Sequence, residues 1–327
     1  MLYNAGREVN MEFLFQAQLP LMLFFQKMET AFLDICSEIV TFFGEIPIPL
    51  LVGIFIYWCW DKRKGFVVVS SLMSAMMSMQ VLKAIFRIPR PFMKYPELIQ
   101  GKRQQTATGF SFPSGHSTTA AAFYGSLYHN FKLKPLRILC MLLIILVPIS
   151  RMYLGVHWPM DIVIGTILGL VCAFPLAKLF EKIYDNNKLF LRFTLSFLMI
   201  SILIALPLAI TMDVSRAGFE TLEEFKLTTL YRAIHNLMQN SSIAFGLFLG
   251  MFLDRRSINF KAADTARTRI LSFIVGLASI AVPALLLLKI PFLKYTFEFI
   301  TFSFVGVWAT FLFPLIAVKL GWMGKEI

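Results

Sequence analysis

The chain has 327 residues, 57% of them hydrophobic and 15% charged, against roughly 45–50% and 25% in a soluble domain. That composition excludes a water-soluble enzyme built on one compact core. The formal net charge of +12 suits nucleic acid, anionic lipid or phosphate, and charge alone does not choose among them.

The N-terminus, MLYNAGREVNMEFLF, lacks a basic region followed by a cleavable apolar core, so no signal peptide is expected and targeting falls to the membrane spans. Residues 13–43 are apolar but broken by Gln16, Gln18, Gln26, Lys27, Glu29, Asp34 and Glu38. This spacing predicts one or two interfacial helices in the headgroup plane rather than a span. A transmembrane helix needs roughly 17–25 mostly apolar residues. About nine runs qualify: 46–60, 65–86, 115–131, 136–154, 158–180, 189–211, 237–253, 270–288 and 296–318. The first is short, and the seventh is weakened by Asn240, Ser241 and Ser242. No run alternates with the period of a barrel strand, so the expected fold is all-α, a polytopic transmembrane helical bundle. A Pro-rich basic loop, 87–114, follows the second run, and a polar stretch, 212–236, precedes the seventh and is expected to form a short surface helix. Cys59, Cys140 and Cys172 fall in apolar runs and Cys36 stands alone, which indicates neither a disulfide framework nor a zinc site.

Three segments place polar groups at span ends: Lys83–Pro91, Pro113–His116 and Ser150–Asp161. Antiparallel neighbours alternate direction, so all three emerge on one face of the membrane. Taken singly, Lys83, Arg90 or Arg151 reads as a snorkelling helix end, and a lone histidine as a packed or interfacial residue. Asp161 is harder to dismiss, because an acid just inside an apolar segment is costly without a partner. His157 lies four residues earlier, hence on the same helical face. A carboxylate on one ring nitrogen fixes the tautomer and frees the other nitrogen to attack phosphorus. The leaving oxygen then needs a proton, and His116 is the other histidine at this face within a motif. His129 falls on the opposite side, and His235 lies in the polar stretch. Lys83, Arg90 and Arg151 supply cations for equatorial phosphate oxygens. Ser114 and Gly115 fall in a first helical turn, where free N–H groups favour an anion, and Pro113 suits the first helical position. No Asp/Glu/His cluster has metal-ligand spacing, so metal-independent chemistry without a cofactor is expected.

These segments resemble the three signature motifs of the type 2 phosphatidic acid phosphatase superfamily: Lys, six residues, Arg-Pro; Pro-Ser-Gly-His; and Ser-Arg, five residues, His, three residues, Asp. No motif position departs from the pattern. The resemblance implies His157 as the phosphorylated nucleophile and His116 as general acid, with Asp161 orienting His157. Lys83, Arg90, Ser114, Gly115 and Arg151 would bind phosphate, and Ser150 would play a supporting part. It implies a division into an N-terminal interfacial segment (1–45), a catalytic transmembrane core (46–185) and additional C-terminal transmembrane helices (186–327). The layout of about nine spans is similar to the sphingosine-1-phosphate phosphatase and glucose-6-phosphatase branch.

With the phosphate-binding cations set aside, Lys and Arg are more numerous on the loops opposite the motifs. The active site is therefore expected outside the cytoplasm, periplasmic in a bacterium or lumenal in a eukaryote. The expected partners are the bilayer and a lipid phosphate such as phosphatidate, a sphingoid-base phosphate or a polyprenyl (di)phosphate. No nucleic acid is expected, and the oligomeric state is open. A lipid phosphotransferase would use the same residues, a soluble sugar phosphate is an alternative substrate, and a transporter would not need this constellation.

Overall fold

The computed structural model describes residues 2–107, 109–211, 222–287 and 294–326, with side chains described over 12–107, 109–204, 232–281 and 298–326. Residues 212–221 of the expected polar stretch lie outside the described residues.

The chain is a helical bundle. The N-terminal segment forms α1 (Leu2–Lys27) and α2 (Ala31–Phe42), the latter capped by the Thr30 hydroxyl, which accepts from the Leu33 N–H at 3.2 Å. A break at Gly44 and Glu45 leads into α3 (Pro47–Cys59), which opens with Pro47, a residue whose fixed φ and missing N–H suit a first turn. α4 (Lys62–Phe86) is capped by Asp61, whose carboxylate accepts from the Lys64 N–H at 2.9 Å. After the short α5 (Pro91–Lys94) the loop reaches α6 (Gly115–Asn130), α7 (Lys134–Tyr153), α8 (Pro159–Ala173) and α9 (Ala177–Asp185). The remainder is α10 (Asn187–Thr211), α11 (Leu222–Ser257), α12 (Ala266–Leu287), α13 (Lys294–Val307) and α14 (Phe313–Lys319), the last two joined by a π-helical turn over Trp308–Leu312. A two-residue antiparallel pairing, β1 (Phe260–Lys261) with β2 (Gly324–Lys325), ties the C-terminus to the turn after α11.

Among the described residues five helices are long and apolar enough to cross a membrane, or six if α2 and α3, bent by 40°, count as one broken span. Two of the expected runs outside this set, in α6 and α11, bury polar side chains. α6 has 16 residues and presents buried Ser117, Thr118, Thr119 and Ser126 to its neighbours, so it is shielded from lipid instead of apolar all round. α11 carries polar side chains inward: Ser241 and Ser242 both donate back to the Met238 carbonyl and are fully buried. By contrast α7 exposes Ile138, Leu142 and Ile145, and α8 exposes Val163 and Ile167, as lipid-facing helices do.

Close packing sets the positions of the motif helices. A Cβ on Gly169 of α8 would lie 2.5 Å from the Thr118 carbonyl oxygen, and one on Gly165 would lie 2.8 Å from that of Ser114. Only glycine lets α8 approach α6 this closely, which brings the start of α8 against the start of α6. The two ends of the bundle are distinct. Lys62 at the start of α4 pairs with Asp254 at the end of α11 at 2.5 Å, and Arg63 pairs with Asp185 at the end of α9. The end of α4, the start of α6, the end of α7 and the start of α8 meet at the other.

Candidate active site

The three motifs converge on one cavity of about 340 Å³, lined among others by Lys83, Arg90, Gly115, His116 and His157. Lys83 ends α4 and donates to the carbonyls of Phe110 (2.5 Å) and Ser111 (3.1 Å), which leaves one of its three donors for a ligand. Arg90, 2% exposed, donates from Nε to the Gly109 carbonyl (3.0 Å) and from Nη1 to the Val156 carbonyl (2.8 Å). The same Nη1 stands 3.1 Å from His157 Nε2. Arg151 is wholly buried behind the cavity. Its Nη1 donates to the hydroxyls of Thr41 (3.0 Å) and Thr106 (3.4 Å), while Nε and Nη2 have no hydrogen-bond partner among the described residues. His116 Nε2 is likewise buried without a partner.

His157 lies in the turn between α7 and α8, not on a shared helical face with Asp161. Pro159 at the first turn of α8 starts the helix there, and Trp158 before it is extended (φ −70°, ψ 153°). The pair forms nonetheless, because Asp161 turns back over the helix start: its Oδ2 accepts the Trp158 N–H at 2.8 Å and stands 3.3 Å from His157 Nδ1. Gly155, at φ +70°, makes the preceding turn, and a Cβ there would sit 2.6 Å from the Gln100 carbonyl oxygen. Burial, reinforced by Arg90, Lys83, Arg151 and His116, holds His157 well below the usual histidine pKa, so the imidazole is neutral at neutral pH.

One expectation at the second motif changes. Pro113 precedes α6 and is not its first residue; Ser114 is the N-cap, its hydroxyl accepting from the Ser117 N–H (3.4 Å) and the Ser117 hydroxyl (2.9 Å). The Ser114 N–H donates to the Asp161 carbonyl at 3.0 Å. The Ser114 oxygen caps α6 and its N–H ties α6 to α8, while Gly115 and His116 line the cavity. Ser150 donates to the Val147 carbonyl at 2.7 Å, a local helix contact.

Ser111, Thr41, Glu45 and the amides of α11 stand at or beside the site although no motif marks them. The Ser111 hydroxyl donates to Asp161 Oδ2 in a short hydrogen bond and lies 3.4 Å from His157 Nδ1. Residues of the loop after α5 are tied down by the N-terminal segment: Lys102 pairs with Asp34 (2.8 Å) and Glu29 (3.1 Å), and Arg103 with Glu45 (2.6 Å). Asn236, Gln239 and Asn240 of α11 complete the cavity wall. His235 beside them is paired with Glu298 of α13, and His129 stacks edge-on against Phe174 at the far end of α6.

Three buried cations, Lys83, Arg90 and Arg151, face one buried carboxylate, Asp161. Such an excess of buried positive charge is costly unless an anion completes it, and a phosphate dianion has the matching charge. A neutral imidazole with its Nδ1 held by a carboxylate can act as a nucleophile toward such a group.

A membrane-embedded helical bundle gathering this set at one end defines the class of integral membrane proteins to which comparison with known proteins also leads. Residues 64–185 match the PAP2 superfamily, and residues 238–325 match the transmembrane extension of PAP2 superfamily phosphatases. The chain belongs to the PAP2 superfamily, with the motif helices in the first region and the C-terminal part of α11 through β2 in the second. It is 31% identical over 131 residues to an undecaprenyl-diphosphatase of Sulfolobus acidocaldarius, a match covering 39% of this chain and 60% of that protein. It is 40% identical over 85 residues to phosphatidylglycerophosphatase B of Bacillus subtilis, covering 23% of this chain and 42% of that protein. The chain thus spans about half the length of these relatives. The crystal structure of Aquifex aeolicus LpxE is also similar, at 25% identity and a TM-score of 0.43, covering 50% of this chain and 95% of that one.

Proposed function

We propose that the protein is a membrane phosphatase that hydrolyses a lipid phosphate monoester through a phosphohistidine, at a site on the non-cytoplasmic face. The observation that carries this reading is the placement of His157: Nδ1 against Asp161, Nε2 beside Arg90 in a cavity shared with His116. The names of two relatives, an undecaprenyl-diphosphatase and a phosphatidylglycerophosphatase, support a lipid phosphate as substrate.

The Nε2 lone pair of His157 forms a bond to phosphorus as the bond from phosphorus to the ester oxygen breaks. His116, protonated when the phosphate dianion fills the site, gives its Nε2 proton to that oxygen, and the alcohol leaves. Asp161 accepts the Nδ1–H of His157 throughout and stabilises the imidazolium. Lys83, Arg90, Arg151 and the Gly115 N–H hold the equatorial oxygens, where charge spreads in the transition state. Water then gives a proton to His116 and its oxygen to phosphorus, the N–P bond breaks, and inorganic phosphate departs. These groups supply the electrostatic stabilisation that a metal gives elsewhere, so activity is expected to survive a chelator. In this reading residues 46–185 form the catalytic core, with 1–45 and 186–327 walling the cavity.

The test is phosphate release by the purified full-length protein from phosphatidate, a sphingoid-base phosphate and a polyprenyl diphosphate. His157→Ala abolishes release and the acid-labile phosphoenzyme, and vanadate inhibits the native chain. A folded protein that releases phosphate from none of these sinks the proposal.

A further inference from the structure

The cavity is lined by more than the cations and histidines, and part of its wall has a different chemistry. Asn236, Gln239 and Asn240 enter from α11, one face of which approaches the motif end while Asp254 anchors the other end. Gln80 enters from α4, three residues before Lys83. It is 7% exposed, and its Oε1 is buried without a hydrogen-bond partner among the described residues. Four carboxamides thus line the cavity together with the cations and histidines. A carboxamide donates and accepts and carries no charge, the complement of a hydroxyl group.

Two other occupants fit worse. A second phosphate would need cations beyond those used by the first. The nearby loop cations Lys102 and Arg103 are already ion-paired to Glu29, Asp34 and Glu45. A bare hydrocarbon next to the ester oxygen would leave the Gln80 amide buried and unpaired, a cost that mutational data place at about 1–3 kcal/mol.

We infer that the amide wall of Gln80, Asn236, Gln239 and Asn240 selects a phosphate monoester of a polyol, whose free hydroxyls lie close to the ester oxygen, over a diphosphate or a simple alkyl phosphate. The inference rests on the phosphatase reading above. It makes the transmembrane extension part of substrate recognition, because two of the four amides, Gln239 and Asn240, belong to it.

The experiment compares kcat/KM of the full-length protein in detergent on four probes: phosphatidylglycerol phosphate, phosphatidate with the same acyl chains, a polyprenyl diphosphate and soluble glycerol 3-phosphate. The polyol monoesters are expected to exceed phosphatidate and the diphosphate by tenfold or more. Preference for the lipid-borne over the soluble polyol, or the reverse, assigns the source of the head group; either supports polyol recognition. Gln80→Met and Asn240→Leu, each checked for folding by its melting temperature, should each lower turnover of the preferred polyol ester at least fivefold more than that of phosphatidate. A native preference for the diphosphate, or equal losses on every probe, overturns the inference. If phosphatidate is cleaved in a His157-dependent way without regard to head group, this inference alone fails. If the folded protein cleaves no probe, the phosphatase reading fails with it.

Discussion

Asp161 grips His157 from the third position of α8, its Oδ2 3.3 Å from Nδ1 and held in place by the Trp158 N–H at 2.8 Å. The carboxylate is thus a cap of the helix and the orienting group of the imidazole at once. Asp161→Asn keeps the shape but presents either an amide donor or a weaker acceptor to Nδ1, which disfavours the tautomer with Nε2 free. The expected outcome is a loss of about 10³–10⁴ in kcat with KM little changed, measured as the rate of phosphoenzyme formation. A loss confined to KM would show that Asp161 serves binding instead.

Ser111 reaches the same oxygen from the loop before α6, and is buried there with its N–H donating to the Ile88 carbonyl at 2.8 Å. It acts through Asp161 and is a positioning residue. Ser111→Ala removes one hydrogen bond to a charged group, worth about 1.5–3 kcal/mol, so kcat is expected to fall roughly tenfold to a hundredfold. Because the serine restrains a carboxylate and does not hold phosphate, KM should stay within about threefold. Ser111→Thr, which keeps the hydroxyl, should recover part of the loss; a threonine variant no better than alanine counts against the positioning role.

The motif residues were legible because each lies within a few positions of a helix end, where local spacing, Pro and Gly mark the boundary. Lys83, Arg90, His116, Arg151, His157 and Asp161 do meet at one site. What sequence could not give were partners joined only by tertiary packing. Thr41 meets Arg151 across 110 positions of chain, and Glu45 meets Arg103 across 58. Acidic residues of 13–43 that read as marks of an interfacial helix, Glu29 and Asp34, turn out to clamp the loop before α6. Asn240 weakened the case for a span on composition, yet it lines the cavity, so the same polarity that obscured the helix is what places it beside the site. Ser114 was recognisable as polar and near a helix start, but the choice between capping the helix and touching a ligand depends on where α8 lies.

At the opposite end, the Lys62 ammonium meets Asp254 at 2.5 Å and also donates to Asn259 Oδ1 (3.0 Å) and the Phe260 carbonyl (3.1 Å), with both charged side chains buried. This joins the start of α4 to the end of α11, and so joins the motif helices to the extension. Removing one partner of a buried pair leaves an uncompensated charge and costs about 3–5 kcal/mol, whereas replacing both by apolar groups is often near neutral. Asp254→Ala should therefore lower the melting temperature in detergent sharply, and Lys62→Met with Asp254→Leu should restore much of it. Equal melting of the single and double variants would show that the contact contributes shape and not charge pairing.

The depressed pKa of His157 fixes the sign of two pH effects. The usual histidine pKa is about 6.5, and burial followed by Arg90, Lys83 and Arg151 places the folded value well below it. The folded imidazole thus stays neutral, with its Nε2 lone pair available, through a range in which an ordinary histidine is protonated. The acid limb of kcat/KM that reports protonation of the nucleophile is accordingly expected below pH 6.5, measured on the free enzyme with a substrate whose own ionisation is accounted for. Stability moves in the same direction. Between the folded and unfolded pKa values the unfolded chain binds a proton at this position that the folded chain does not, so the contribution is fully present above pH 6.5 and is lost as pH falls toward the folded value. His157→Gln, which cannot take up that proton, should melt with a shallower dependence on pH between 6.5 and 5 than the native protein. Parallel curves for the two proteins would mean that His157 titrates near its ordinary value in the folded chain.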